Sequence, residues 1–116
     1  MNKIDEIKTQ RNWANNKLLG HNSEVYKAFV QMEKATYCDG AVSRKNKELI
    51  AIGISVVINC ESCMQWHIEQ AVQCGATEKE IIEAIEVSIE MGGGPATVHA
   101  RFALEVLDKI IQAKNK

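Results

Sequence analysis

The chain has 116 residues, of which 46% are hydrophobic and 25% charged, and its formal net charge is −1. This length is typical of one small domain, and the composition is that of an ordinary globular protein. The near-neutral charge excludes a strongly basic nucleic-acid-binding surface, and no apolar run approaches the roughly 18 residues that a membrane span requires. Residues 1–6 lack the apolar core of a signal peptide. We therefore expect one cytoplasmic domain over residues 1–116, with neither nucleic acid nor membrane as a partner.

Apolar spacing and capping residues predict helices in the first part of the chain. Residues 4–18 place apolar side chains at loosely helical intervals, and the run Gly-His-Asn at 20–22 should end that helix. Ser23 is a candidate N-cap for a second helix over roughly 24–37, which carries its own apolar stripe. Ser43 then opens a third segment, which begins with charged residues and continues as an apolar run.

That apolar run, residues 49–58, is ambiguous because many of its side chains are β-branched. A buried strand leading straight into Cys-x-x-Cys would resemble thioredoxin, whose site needs a proline facing the cysteines from the start of a strand. The sole proline, Pro95, follows three glycines and precedes a helical pattern, and nothing after residue 75 has the pattern of a strand. We therefore favour a helix over 49–58, and Pro95 suits the first turn of a last helix that runs to about Ala113.

The helices between these two have clearer ends. One should begin at Asn59 or Cys60 and stop at Gly75, since glycine commonly takes the left-handed conformation after a helix. Residues 77–80 read Thr-Glu-Lys-Glu, a capping box that predicts a helix over 78–91. The whole chain is thus predicted to be all-α, with five or six helices. Five apolar residues near and after the glycine run are expected to form a core stripe: Met91, Phe102, Leu104, Leu107 and Ile111.

Two cysteines and a histidine at the start of the helix after residue 59 carry the clearest chemistry. If Asn59 or Cys60 caps this helix, Cys60 and Cys63 lie in its first turn, where the dipole and free N–H groups favour a thiolate. Residues i and i+3 are neighbours on a helix, so the two sulfurs can close a disulfide. His67 lies four residues beyond Cys63 on the same face, where an imidazole can take the thiol proton. In a reducing cytosol such a pair is more often catalytic or metal-binding than structural.

Glu48 supplies a carboxylate that can reach this histidine. If the helices before and after Asn59 form an antiparallel hairpin, Glu48 lies roughly 16 Å before the turn at 1.5 Å per residue. His67 lies roughly 12 Å after the turn by the same measure. The difference is about one helical turn, which a glutamate side chain or a bridging water can span. The spacing therefore permits a line of Glu48, His67 and Cys63, in which the carboxylate orients the imidazole and the imidazole handles the thiol proton.

Glu48, Cys60, Cys63 and His67 together match the pattern E-x11-C-x2-C-x3-H. This pattern resembles that of the alkyl hydroperoxidase D (AhpD)-like branch of the carboxymuconolactone decarboxylase family. The run GATEKEIIEA at 75–84 is also similar to the family, and the resemblance covers most of the chain. One departure is that Glu-Ser stands between the cysteines, where the best-known peroxidase of the family has a histidine.

The resemblance implies an AhpD-like helical bundle with a central helical hairpin, assembled as a homo-oligomer, either a trimer or a hexamer. It also implies a peroxidase or disulfide reductase with peroxiredoxin-type, antioxidant activity. Such an enzyme would reduce a small hydroperoxide or disulfide with electrons from an external dithiol or redox protein, and without haem, flavin or metal. By the same resemblance, Cys60 and Cys63 form the redox pair, and Glu48 with His67 forms the proton relay. The decarboxylases that name the family lack the cysteine pair, so lactone decarboxylation is not expected.

Other interpretations of the same thiols stay open. Cys60, Cys63 and His67 could be zinc ligands in a metal-binding or redox-sensing module without catalysis, although a structural zinc site usually brings a second close ligand pair, which this chain lacks. The two cysteines could also be small core residues. The sequence leaves open which of them reacts first. Outside the pattern, Cys38 and Cys74 are interpreted as idle thiols, and His21 as a loop residue. His99 stays a candidate pocket residue. Trp13 and Trp66 are expected to pack in a core or at a subunit contact.

Overall fold

The computed structural model describes residues 2–115, and these form six helices without a strand. The all-α prediction is therefore confirmed, and the rival interpretation of residues 49–58 as a strand is wrong, because residues 49–57 are helical and Ile58 is the C-cap of that helix. We number the helices in chain order: α1 (Lys3–Gly20), α2 (Glu24–Thr36), α3 (Arg44–Val57), α4 (Glu61–Gln73), α5 (Glu78–Gly92) and α6 (Gly94–Lys114).

Side-chain caps begin most of these helices where the sequence predicts them. The hydroxyl groups of Ser23, Ser43 and Thr77 accept hydrogen bonds from backbone N–H groups in the first turns of α2, α3 and α5. Thr77 and Glu80 form the complete capping box, with both reciprocal hydrogen bonds present. At the end of α4 the predicted stop is also found, since Gly75 has φ of +90°. Local capping chemistry thus accounts for the helix boundaries.

Helices α3 and α4 form the predicted central hairpin. Asn59, with φ of +57°, takes the left-handed conformation that turns the chain between them, and the N–H of Cys60 donates to the carbonyl of Ser55 at 2.9 Å. Helices α5 and α6 pack against this hairpin to complete the core. Apart from Ala76, which lies between α4 and α5, the buried apolar side chains come from these four helices: Ile52, Val56, Met64, Ile68, Ala71, Val72, Ile81, Ile85, Ala96, Ala100, Phe102, Ala103, Val106 and Leu107.

The first two helices stand outside this core. Within Lys3–Gly20 and Glu24–Thr36 no side chain is buried. Helix α1 nevertheless lies along α4, with the half-buried Ile4 and Ile7 packed against the edge of the core. Polar contacts add to this, among them Lys3 to Glu61 at 2.7 Å and Lys8 to Glu69 at 3.4 Å. Helix α2 crosses α1 and leaves much of its apolar stripe in solvent. A space is left between α1, α2 and α4.

Two members of the expected core stripe are not in the core. Phe102 and Leu107 are buried as predicted, but Met91 is 75% exposed and Leu104 is 43% exposed. Met91 lies on the outer side of α5, where it lines an apolar groove between α3 and α5. Apolar residues at helical spacing can face either the core or the outer surface, so the spacing alone does not show which of them are buried. Within residues 2–115 every helix is too short or too polar to serve as a membrane span.

Candidate active site

The two cysteines of the pattern meet at the N-terminus of α4. Cys60 is the N-cap residue, and its sulfur accepts a hydrogen bond from the backbone N–H of Cys63 at 3.2 Å. Their sulfurs are joined in a disulfide across a Cα–Cα distance of 5.2 Å. The prediction that an i, i+3 pair in a first helical turn can close a disulfide is confirmed. Because the cap atom is itself one of the two disulfide sulfurs, the helix N-terminus would stabilise negative charge on Cys60 in the reduced pair.

Glu48 and His67 are in direct contact across the hairpin. The imidazole Nδ1 lies 2.7 Å from the carboxylate Oε1 of Glu48, which confirms the distance expected from the helical rise. Glu48 is only 1% exposed, although it carries a carboxylate. Since a carboxylate oxygen accepts, Nδ1 is the donor, and in a neutral imidazole this leaves Nε2 unprotonated and able to accept a proton. The pair thus supplies a histidine held in one tautomer and one orientation.

Two further side chains surround this pair and were missed by the sequence. Arg44 places Nε 3.9 Å from Oε2 of Glu48, and its Nη2 donates to Gln70 at 3.0 Å. The i, i+4 spacing of Arg44 and Glu48 was a usable signal, because such residues are neighbours on a helix. Tyr37 comes from the end of α2, and its ring centroid lies 5.1 Å from that of His67. No local pattern predicts that contact, since it depends on where the end of α2 lies relative to the hairpin.

The surroundings of Tyr37 also change its acidity. Burial raises the pKa of Tyr37 above its ordinary value of 10.0, and the negative charges of Glu48 and Glu33 raise it further. The phenol therefore stays neutral beside His67 throughout the physiological range. Its ring packs against one side of the imidazole.

A cavity of about 580 Å³ opens beside the disulfide, between α1, α2 and α4. Cys63 and His67 both line it, and Cys60 is not among its lining residues. Trp66, which was expected to serve only in packing, forms part of the wall. The rest of the wall comes chiefly from α1 and α2: Arg11, Asn12, Asn15, Leu19, Tyr26, Lys27, Phe29, Val30, Gln31 and Glu33. A reactant in this cavity would meet Cys63 rather than Cys60.

Arg11 is the cavity residue most firmly tied to the thiol helix. Its Nη1 donates to Oε1 of Gln65 at 2.6 Å, and its Nη2 donates to the carbonyl and hydroxyl oxygens of Ser62 at 2.7 and 3.0 Å. The guanidinium also lies over the ring of Trp66, 5.4 Å from its centroid. The sequence contains no signal for Arg11, because its partners are more than fifty residues away along the chain.

The remaining candidates lie apart from this site. Cys38 is exposed and Cys74 is half-buried, and both are free thiols. His21 caps the C-terminus of α1, as a loop residue would. Nδ1 of His99 donates to the carbonyl of Val56 at 2.8 Å, and His99 is not among the residues that line the cavity beside Cys63. Across residues 2–115, no three or more His, Cys, Asp and Glu side chains are grouped so that they could hold a metal ion.

Comparison with known proteins connects the chain to one family. The model of the carboxymuconolactone decarboxylase family matches residues 23–106. An uncharacterised protein of the cox locus of Paracoccus denitrificans is 42% identical over 83 residues, which cover 72% of this chain and 75% of that protein. An uncharacterised protein of Cupriavidus necator is 37% identical over 83 residues, with coverage of 72% and 74%.

Solved structures show the same arrangement of helices. A carboxymuconolactone decarboxylase family protein from Legionella pneumophila superposes with a TM-score of 0.88 at 30% identity, over 94% of this chain and 97% of that one. A family member from Thermotoga maritima, for which an involvement in the antioxidative response has been suggested, gives a TM-score of 0.85 at 28% identity over 95% and 93%. The predicted fold family is therefore confirmed.

Proposed function

Since the chain belongs to the carboxymuconolactone decarboxylase family, we propose that it is a thiol-dependent oxidoreductase that reduces hydroperoxides or disulfides through Cys60 and Cys63. The observation that carries the proposal is the arrangement of a buried carboxylate, a histidine and a cysteine pair at one helix N-terminus, beside a cavity. The suggested antioxidative role of the Thermotoga maritima protein is consistent with it. We place the reaction in the cytoplasm, where dithiol donors are kept reduced.

The oxidative half-reaction begins at Cys63, because this sulfur lines the cavity and lies one turn before His67. His67 takes the thiol proton at Nε2, and the thiolate attacks the distal oxygen of the hydroperoxide. The O–O bond breaks, Cys63 becomes a sulfenic acid, and the alkoxide takes the proton from His67 and leaves as the alcohol. Cys60 then attacks the sulfenic sulfur, which releases water and forms the disulfide. One hydroperoxide is thus reduced by two electrons, and two thiols are oxidised.

The reductive half-reaction needs an external dithiol. One of its thiolates attacks Cys63 from the cavity side and displaces Cys60 as a thiolate, which the N–H of Cys63 and the dipole of α4 stabilise. The second thiol of the donor resolves the mixed disulfide, so the donor leaves oxidised and both protein cysteines are reduced. Run in the opposite direction, the same steps let the reduced Cys60–Cys63 pair reduce a disulfide substrate, which leaves the protein disulfide oxidised.

The free cysteines provide a matched set of controls. In an assay of hydroperoxide-dependent oxidation of dithiothreitol, Cys63→Ser should abolish turnover and Cys60→Ser should lower it strongly, because dithiothreitol must then replace Cys60 in attacking the sulfenic acid. Cys38→Ser and Cys74→Ser should retain turnover. Cys60→Ser should still consume one hydroperoxide per chain in a single turnover, because it keeps the attacking thiol, and Cys63→Ser should consume none. Undiminished turnover in both Cys60→Ser and Cys63→Ser would overturn the proposal.

Thiol and metal counts separate this proposal from the metal-binding or redox-sensing alternative. Hydroperoxide should remove two titratable thiols per chain, and a dithiol should restore them. The alternative instead predicts stoichiometric zinc or iron in protein purified under reducing conditions, with the metal released when the cysteines are replaced.

We further propose that the chain forms a homo-oligomer, a trimer or a hexamer. The groove between α3 and α5 has a volume of about 460 Å³, and Ile54, Val87 and Met91 along it are each more than half exposed. Apolar surface of this kind is common at subunit contacts. Sedimentation at micromolar concentration should show an oligomer, Ile54→Glu should dissociate it, and Lys79→Glu on the polar side of α5 should not. A monomeric wild-type chain would contradict this.

A further inference from the structure

The cavity beside Cys63 is much larger than a peroxide group requires. Its volume of about 580 Å³ falls in the range of about 300–1,000 Å³ that is typical of small-molecule sites, whereas one water-sized molecule occupies only about 30 Å³. The wall includes the apolar side chains of Leu19, Phe29, Val30 and Trp66. Space of this size and character suits an organic chain attached to the reacting group.

Arg11 brings a positive charge into this wall without a carboxylate partner. Among residues 2–115, no Asp or Glu oxygen lies within ion-pair distance of its guanidinium. The three hydrogen bonds that hold Arg11 go to neutral acceptors on Gln65 and Ser62 and use two of its three nitrogens. A guanidinium has five N–H donors in a planar fork that matches a carboxylate. The side chain is therefore fixed in place and keeps donors for a further anion.

The other charges of the wall leave it positive. Besides Arg11 it contains one cation, Lys27, and one carboxylate, Glu33. Lys27 is engaged with Asn22 and, at 3.4 Å, with Glu24. Partial burial lowers the pKa of Arg11 from its ordinary value, with Glu69 acting in the opposite direction, but arginine stays charged at neutral pH.

We infer that this cavity binds organic hydroperoxides that carry a carboxylate on an apolar chain, with Arg11 binding the carboxylate while the chain lies against Phe29, Val30 and Trp66. The reaction itself rests on the proposed function: the O–O bond is cleaved at Cys63 as described above, and the carboxylate is unchanged. Binding does not rest on it. Arg11 is bonded to Ser62, the residue before Cys63, so the anion-binding group and the reacting sulfur share one end of α4.

Binding is tested first, with probes that cannot react. In the Trp13→Phe protein, Trp66 is the sole tryptophan and lines the cavity, so its fluorescence reports occupancy. Decanoate should bind, and Arg11→Gln should weaken this binding about 10- to 100-fold, as expected for the loss of a hydrogen-bonded charge pair. Methyl decanoate should bind the two proteins equally. Equal decanoate binding with and without Arg11 would overturn the inference.

Arg11 also holds α1 against α4, so a second variant guards against unfolding. Ser62→Asp places a carboxylate beside Nη2 and an acidic residue in the first turn of α4, where it favours the helix. It should neutralise Arg11 and weaken decanoate binding as Arg11→Gln does, without lowering the melting temperature. Ser62→Asn, which is neutral and of similar size, should bind decanoate like the parent protein. Unchanged decanoate binding by Ser62→Asp would count against the inference.

Kinetics separate a failure of this inference from a failure of the proposed function. Linoleic acid hydroperoxide should have a lower KM than its methyl ester, and Arg11→Gln should raise the KM for the acid by about 10- to 100-fold while kcat is unchanged. The KM and kcat for cumene hydroperoxide, which has no carboxylate, should not change in Arg11→Gln. If acid and ester turn over equally in both proteins, the inference fails and the proposed function stands. If no hydroperoxide turns over but decanoate binding still depends on Arg11, the proposed function fails and the carboxylate site stands.

Discussion

Replacing Glu48 with glutamine tests the proposed proton relay with the smallest change of shape. The amide keeps an oxygen that can accept from His67 and occupies nearly the same volume, but it removes the negative charge. In the structure this charge lies 2.7 Å from Nδ1 of His67 and is shielded from water, since Glu48 is 1% exposed. The variant therefore isolates the electrostatic support that the histidine receives when it accepts the thiol proton.

The size of the effect follows from the kind of bond that is lost. Hydrogen bonds to charged groups contribute about 1.5–3 kcal/mol, and each 1.36 kcal/mol of barrier corresponds to a tenfold change in rate. We therefore expect kcat/KM for hydroperoxide to fall by about 10- to 100-fold in Glu48→Gln. Stability should not fall in parallel, because taking a carboxylate out of water costs several kcal/mol in the native state, and the amide avoids this cost.

The assay combines peroxide kinetics, urea unfolding and nitrogen NMR of His67. In the wild type Nδ1 should carry the proton, and in Glu48→Gln the tautomer should become mixed, because an amide can present either an acceptor or a donor. Glu86→Gln, on the exposed side of α5, is the matched control and should behave like the wild type. A Glu48→Gln enzyme with wild-type kcat/KM and a fixed tautomer would refute the reasoning.

Two further predictions concern stability. Because burial and, after it, two neighbouring carboxylates raise the pKa of Tyr37, its contribution to stability is full below about pH 10 and lost as pH rises through the folded-state value. Urea unfolding from about pH 9 to about pH 11 should show a smaller alkaline loss for Tyr37→Phe than for Tyr26→Phe, and equal losses would contradict this cause. Thr77→Ala should lower the free energy of unfolding by about 1 kcal/mol, because its cap begins a helix that packs in the core. Ser23→Ala, at the cap of a helix without buried side chains, should lower the free energy of unfolding by less than Thr77→Ala does. A larger loss in Ser23→Ala than in Thr77→Ala would contradict this reasoning.

Much of the candidate site could be predicted from the sequence because it depends on local geometry. Cys60, Cys63 and His67 lie within eight residues of one helix, so the helical period alone places them on one face. Glu48 required one more inference, a turn near Asn59, and the rise per residue then fixed its level against His67. The cap was predicted only as Asn59 or Cys60, and the structure has it at Cys60, after Asn59 turns the chain with φ of +57°.

The cavity could not be predicted because its walls depend on long-range packing. Arg11 is separated from Gln65 by 54 positions. No side chain of α1 is fully buried, and besides the half-buried Ile4 and Ile7 it is polar contacts that hold this helix in place. Hydrophobic periodicity carries no information about such contacts. The same limit explains why the prediction for Met91 was wrong. An apolar stripe indicates that one face of a helix packs against something, but it does not show whether this is the core of the same chain or another surface.

The packing of α4 explains why its pattern of apolar residues nevertheless predicts where Cys63 and His67 lie. Met64 and Ile68 are fully buried, and this fixes the rotation of the helix about its axis. Cys63 and His67 each stand one position earlier, which is about 100° around the helix from the buried row. At that angle a side chain lies at the edge of the core, where His67 can reach the buried carboxylate across the hairpin and Cys63 can face the cavity. The rotation that buries the apolar face of α4 is therefore the one that brings the thiol and the histidine to their partners.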